Sequence, residues 1–412
     1  MQTITIAPEK SVVDHRVVFF ICVICYLFCG LVSTLMSVYL PVVVRDLLGN
    51  VTEKQMGEVG AYIGSMYLYG WTLGGIIFGL LGDRIGRIKS FIAAVALYAV
   101  FTSITGFTSQ WLVLVAYRFM AGFGVGGVLV LATIIVSEAW PQKSRSIAIG
   151  VLAVMFPVGI VCAGIVNNTI PEWRNAFLVG IIPLFTALAA LFLLKESPQW
   201  GNRHSTQLEA QSSLQLLNQP LHRKNLFVGV VIFGAMLIGL WAIFSWLPTW
   251  VQSLFTNPSL GQKERGITMM LLGSGGIIGG GFSGFMSNRL GYKKTILLAF
   301  AGSFGMCFIL FSTNAIFTPI IYVETALLAL FFGISQGTLS AYLPALFPVR
   351  IRGTATGFCF NIGRLATATV VFFVGTLVTL FGGYGHAVLA FSVTFLIGFI
   401  FTFLAKEAKP TI

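Results

Sequence analysis

Of 412 residues, 57% are hydrophobic and only 9% are charged, and the mean hydropathy is +0.91. That composition excludes a chain folded around one soluble core and implies an integral membrane protein. The formal net charge of +12 follows from where the basic residues fall relative to the membrane and implies no nucleic-acid partner.

A helix needs about 20 mostly apolar residues to cross roughly 30 Å of hydrocarbon. On that measure the chain holds twelve predicted spans, at 18–40, 58–80, 91–108, 112–137, 146–167, 175–194, 226–252, 267–287, 295–313, 318–343, 354–380 and 385–405. The first is too long for a cleaved signal peptide and lacks a small-residue cleavage site, so it is expected to remain. Twelve spans place both termini on one side. With the termini in the cytoplasm, inside segments carry 18 of the 25 basic residues, outside loops carry five, and Arg118 and Arg364 fall within spans. This is the Lys/Arg bias of cytoplasmic loops, and it points to the plasma (inner) membrane with the lipid bilayer as surroundings.

The cysteines all lie in apolar spans and imply no disulfide framework. Cys22, Cys25 and Cys29 share one helical face, but no His or acid stands beside them. They read as small packing residues and not as a metal site.

The longest polar interruption, Ser197 to Asn225, divides the spans six and six. GLLGDRIGRIK (79–89) after span 2 returns as GFMSNRLGYKK (284–294) after span 8, at an offset of 205. PQKSR (141–145) returns as PVRIR (348–352) at an offset of 207. Duplication of a six-span unit accounts for both pairs. The expected architecture is an all-α membrane protein of twelve transmembrane helices in two six-helix halves. Its parts are a cytoplasmic N-terminus (1–17), an N-terminal bundle (18–194), a cytoplasmic linker (195–225), a C-terminal bundle (226–405) and a tail (406–412). Membrane proteins built from such repeats bind cargo near the midplane between the repeats. The two halves make a complete unit, so a monomer is expected to suffice.

The loop after span 2, with Gly79, Asp83, Arg84, Gly86, Arg87 and Lys89, resembles the signature of the major facilitator superfamily of secondary transporters. Its degenerate copy has Asn288, Arg289, Gly291, Lys293 and Lys294. Arg118, Gly122, Gly124, Glu138, Pro141 and Arg145, with Glu196-Ser197-Pro198-Gln199-Trp200 after span 6, are similar to elements of sugar porters and related metabolite/proton symporters. The double glutamine of sugar porters is missing from span 7. WLPTW in span 7 and RGTATGFCFNIGR in span 11 look most like the organic-acid, aromatic-acid and sialate-like proton symporter branches. The resemblance covers essentially the whole chain. It implies alternating access, a proton as coupling ion and no other cofactor. It also implies that Arg84 and Arg87 reach Glu138 in an inner gate that breaks when the carrier opens inward, with Arg145, Arg289 and Arg352 in the same loops.

Arg364 lies about eleven residues into span 11, roughly 16 Å along a helix and therefore near the bilayer centre. A charge there costs several kcal/mol and normally faces a cavity or the bundle interior, and a guanidinium fork suits a carboxylate. Arg364 is thus a candidate for binding an anionic substrate, with Asn361 as a neutral partner. Its alternative is an internal structural pair. Ser33 and Ser37 of span 1, Trp241 and Ser245 of span 7 and Gln336 of span 10 are further candidates for substrate contact, or for helix packing. Arg118 and Glu324 stand 206 residues apart, the repeat offset, at similar depth. They are expected either to pair across the cavity when it closes outward, with Glu324 as proton acceptor, or to be separate structural charges. Span 1 has no carboxylate, so coupling falls to Glu324, Glu138 or Asp83.

The expected function is uptake of a small organic anion, a monocarboxylate or aromatic acid. The alternatives are a carrier for a sugar-like neutral solute and an exporter of drugs or metabolites. No enzyme is expected, since none of the four histidines lies well inside a span.

Overall fold

The computed structural model describes residues 14–196, 220–257, 260–405 and 407. The linker from Ser197, including Pro198, Gln199 and Trp200, lies outside the described residues up to position 219.

Among the described residues, twelve helices are long and apolar enough to cross a membrane. They are span 1 (His15–Leu48), span 2 (Glu53–Ile85), span 3 (Arg87–Thr105), span 4 (Trp111–Ala139), span 5 (Gln142–Thr169), span 6 (Trp173–Leu193), span 7 (His222–Ser253), span 8 (Gln262–Leu290), span 9 (Tyr292–Thr313), span 10 (Ile320–Ala345), span 11 (Thr354–Phe372) and span 12 (Tyr384–Leu404). The described residues form helices and no strand, as expected where hydrocarbon leaves the backbone no outside hydrogen-bond partner. Span 11 is shorter than its apolar run. The helix stops at Phe372 and a second one runs Val374–Phe381.

Local chemistry sets the helix ends. Thr52 and Gln55 form a reciprocal capping box at the start of span 2. Gly86, at φ +113°, makes the sharp turn into span 3, and Gly291, at φ +82°, makes the equivalent turn into span 9. Both need a residue without Cβ strain.

Within the N-terminal half, spans 2 and 4 approach closely. A Cβ on Gly70 or Gly74 would strike the carbonyl of Phe119 or Phe123, and one on Gly122 or Gly126 would strike that of Tyr67 or Trp71. Small residues four apart let helix backbones meet where lipid provides no hydrophobic drive. Gly275 and Gly279 on span 8 meet Ala326 and Leu330 of span 10 in the same way. They stand 205 residues after Gly70 and Gly74, so the repeat visible in the loops extends to the helix contacts.

The halves join on the side away from the termini, the far side. Asn167 donates to the Gln262 carbonyl at 2.7 Å and Gln262 donates to the Asn167 carbonyl at 2.8 Å. Tyr384 donates to the Glu53 carbonyl at 3.1 Å, and Tyr69 and Thr369 share a 2.9 Å hydrogen bond nearer mid-span. Gly57 and Gly375 touch backbone to backbone. These contacts between the halves lie on the far side and near mid-span.

Candidate functional site

The seam between the halves holds a small cavity walled by spans 1, 2, 4 and 7. Its polar lining is Ser33 and Ser37 from span 1, Tyr67 from span 2, Arg118 from span 4, and Ser245 with the indoles of Trp241 and Trp246 from span 7. A second, smaller cavity adjoins it, lined by Trp71, Thr72, Arg364 and Thr367, and the two share Leu68 and Trp241.

Arg118 is the strongest charge in the larger cavity. It is 1% exposed, its guanidinium lies 4.2 Å from the centre of the Tyr67 ring, and its Nη2 donates to the Val32 carbonyl at 3.4 Å. Its Nε and Nη1 are buried with no hydrogen-bond partner among the described residues. No carboxylate there is within ion-pair distance of it. Ser33 donates to the Cys29 carbonyl at 2.6 Å and lies 2.5 Å from the Tyr67 hydroxyl. A serine has one proton, so Tyr67 is the donor of that second bond, and its oxygen stays anchored while its ring carries the cation.

Arg364 approaches from the opposite half. It is half-buried, with its guanidinium 5.9 Å from the centre of the Trp71 ring. Trp71, Trp241 and Phe156 form an aromatic wall, with ring centres 5.2 Å apart for the two indoles and 5.6 Å apart for Trp71 and Phe156.

A sequence profile described as the Major Facilitator Superfamily matches residues 22–370. The chain belongs to that superfamily. It is 28% identical over 335 residues to the cis,cis-muconate transport protein of Acinetobacter baylyi, covering 76% of this chain and 77% of the relative. It is 23% identical over 386 residues to the benzoate transport protein of the same organism, covering 84% and 81%. The solved D-xylose-proton symporter superposes with a TM-score of 0.79 at 18% identity, over 97% of this chain and 99% of that one. At that identity the likeness is one of fold alone. The expected all-α, twelve-span architecture is therefore present, and the protein is a multi-pass membrane transporter, not an enzyme.

The signature loop of this superfamily member folds into a network inside the N-terminal half. Buried Arg87 donates through Nη1 to Glu138, and its Nη2 lies 3.4 Å from Asp83. Glu196, just past span 6, caps the start of span 3. It accepts from the backbone N–H of Arg87 and Ile88 at 2.9 Å each and of Lys89 at 3.2 Å, where a carboxylate also meets the positive end of the helix dipole. A side chain at Gly86 would collide with that carboxylate. In the second half Glu407 approaches Gly291 and accepts from the Lys293 N–H at 3.4 Å.

Several expectations need correction. Arg87 makes the bond to Glu138, while Arg84 stays exposed. Both partners of that bond belong to the N-terminal half. Arg118 and Glu324 do not pair although the far side is closed. Glu324 accepts from Asn314 at 2.7 Å beside the outer loop, while Arg118 is held at Tyr67. Gln336 is exposed and Asn361 donates to its own helix, to the Gly357 carbonyl at 3.0 Å; neither lines a cavity. Arg289 stacks on Phe285 at 4.6 Å, Arg352 donates to the Phe347 carbonyl at 3.4 Å, and Arg145 opens the span 5 helix half-buried. Ser33, Ser37, Trp241 and Ser245 are brought together, and Arg118 joins them.

Sequence reasoning passed over Tyr67, Trp71 and Arg265. The first two flank the glycines of span 2, a pattern that marks the face turned to span 4. Arg265 was counted among loop charges, yet it lies 2% exposed on span 8 and donates to Gln252 of span 7.

Proposed function

We propose that the protein carries a small organic anion across the membrane by alternating access, with Arg118 receiving a carboxylate of the cargo. The observation that carries this reading is a buried guanidinium beside the cavity whose Nε and Nη1 have no hydrogen-bond partner, and which has no carboxylate within ion-pair distance, among the described residues. A cation at that depth costs about 2.5–3.5 kcal/mol even on the lower scales, and an anionic cargo offsets it with charge-assisted hydrogen bonds. Ser33, Ser37 and Ser245 supply neutral hydrogen bonds, and Trp241 and Trp246 receive an apolar or aromatic body. Relatives named for cis,cis-muconate and benzoate transport agree with that chemistry.

With the termini in the cytoplasm, as the Lys/Arg distribution argues, the far-side contacts between the halves are consistent with an inward-facing carrier in a bacterial inner membrane, working as a monomer. Its direction is uptake and its coupling ion is the proton. No carboxylate lines either cavity, so the proton is taken at the flanking acids Glu324, Glu138 or Asp83.

Uptake into proteoliposomes tests the reading, with benzoate as probe and benzamide as its neutral counterpart. Benzoate accumulation that rises with an imposed inward proton gradient and is lost in Arg118→Gln supports it. Equal uptake of benzamide, or unchanged uptake by the variant, overturns it.

A further inference from the structure

We propose that the preferred cargo is a dianion, with one carboxylate taken by Arg118 and the other by Arg364, so that the substrate bridges the two halves. This rests on the organic-anion reading above and narrows its substrate class.

On span 2, Tyr67 and Trp71 are four residues apart, one helical turn, and project from one face. Their ring centres are 6.1 Å apart. Arg118, from the N-terminal half, lies 4.2 Å from the first ring, and Arg364, from the C-terminal half, lies 5.9 Å from the second. Those three distances laid end to end bound the separation of the two guanidinium carbons at about 16 Å. A carboxylate held by a bidentate pair of N–H···O bonds sits about 4 Å, carbon to carbon, from its guanidinium. Allowing for one at each end leaves at most about 8 Å between the two carboxyl carbons of a bridging ligand. An extended six-carbon diacid spans roughly 6 Å at standard bond lengths.

The surroundings fit the same ligand. The two cavities adjoin through Leu68 and Trp241, and neither is lined by an Asp, Glu or Lys. Neither arginine forms an ion pair among the described residues. Trp71, Trp241 and Phe156 supply aromatic faces around the middle, suited to an apolar or planar linker. A monoanion neutralises one arginine and leaves its like-charged counterpart across the seam. A dianion neutralises both and ties span 4 to span 11, which belong to halves that must move against each other.

The test is a binding series on the purified full chain at pH 7.5. The ligands are α,ω-dicarboxylates of four to eight carbons and terephthalate, each beside its own monoamide, with benzoate as monoanion and benzamide as neutral control. The proteins are the wild type, Arg118→Gln and Arg364→Gln, each checked for folding by its unliganded melting temperature. The expected result is at least one diacid bound about tenfold or more tightly than its monoamide, an advantage that falls to about twofold or less in each variant. Arg118→Lys and Arg364→Lys provide a second pair should a glutamine variant fail to fold, and they are expected to keep part of the advantage. If no diacid outperforms its monoamide, or Arg364→Gln keeps the advantage, the dianion proposal is overturned. Benzoate binding that Arg118→Gln abolishes would then leave the organic-anion reading standing, whereas binding of benzamide alone removes both.

Discussion

Arg118 rests with its guanidinium 4.2 Å above the ring of Tyr67, and the hydroxyl of that same tyrosine lies 2.5 Å from Ser33. One side chain therefore positions the cation on span 4 and ties span 2 to span 1. Tyr67→Phe keeps the ring under Arg118 and loses only the hydrogen bond, whereas Tyr67→Leu loses both. Carboxylate affinity is expected to fall no more than about fivefold in the first and by a further factor of up to about thirty in the second, as a desolvated cation–π contact is worth about 2 kcal/mol. Titration calorimetry with a bound carboxylate reads the difference.

Gly126 faces the carbonyl of Trp71 and the backbone nitrogen of Gly75, so spans 2 and 4 have no room for a side chain there. Gly126→Val is expected to push the helices apart, destabilise the N-terminal half by about 1–3 kcal/mol, and shift the Trp71 ring that faces Arg364. A lower melting temperature in detergent checks this, with Gly150→Val as a control because no atom lies within 4 Å of a Cβ there.

The Arg87–Glu138 pair has both side chains largely buried, at 4% and 9% relative exposure. Removing Glu138 leaves buried Arg87 with the longer 3.4 Å contact to Asp83, so Glu138→Leu alone is expected to destabilise the protein by up to about 3 kcal/mol. Arg87→Met combined with Glu138→Leu should recover most of that loss, because an apolar pair replaces a buried ionic one at little cost. A double-mutant cycle on melting temperature measures the recovery.

On the far side, Gly266 sits against the Asn168 side chain and the Gly164 carbonyl, one turn from the Asn167–Gln262 hydrogen bonds. Gly266→Leu is expected to wedge this seam open and raise the population open to the far side. A cysteine introduced at Ser37 should then react faster with a membrane-impermeant thiol reagent from the far side, by about tenfold or more. An unchanged rate would show that the seam is not the seal.

Hydropathy gave the spans because crossing hydrocarbon requires long apolar helices, and the recurring Gly-x-x-x-Asp/Asn-Arg loops exposed the duplication. The break at Phe373 escaped notice because both sides of it are equally apolar. Ser33, Ser37, Trp241 and Ser245 were legible as polar or aromatic residues on spans expected to line the cavity. Arg118 was read as a gate because depth along a helix can be counted from a sequence while the direction of its face cannot. That direction is fixed by the glycines that turn span 4 toward Tyr67 and Trp71. Asn361 and Gln336 have the right chemistry at the right depth, and rotation about the helix axis turns them away from both cavities.

The central claim is that Arg118 holds a carboxylate of the cargo. Its most direct measurement is a thermal-shift comparison of the wild type, Arg118→Lys and Arg118→Gln against benzoate, hexanedioate and their neutral amides, since a ligand of the folded state raises apparent stability by mass action. The account predicts that at least one carboxylate stabilises the wild type, that the lysine variant responds weakly, and that the glutamine variant stays folded without responding. Stabilisation by the amides alone, or an equal response of Arg118→Gln to the carboxylates, would contradict it.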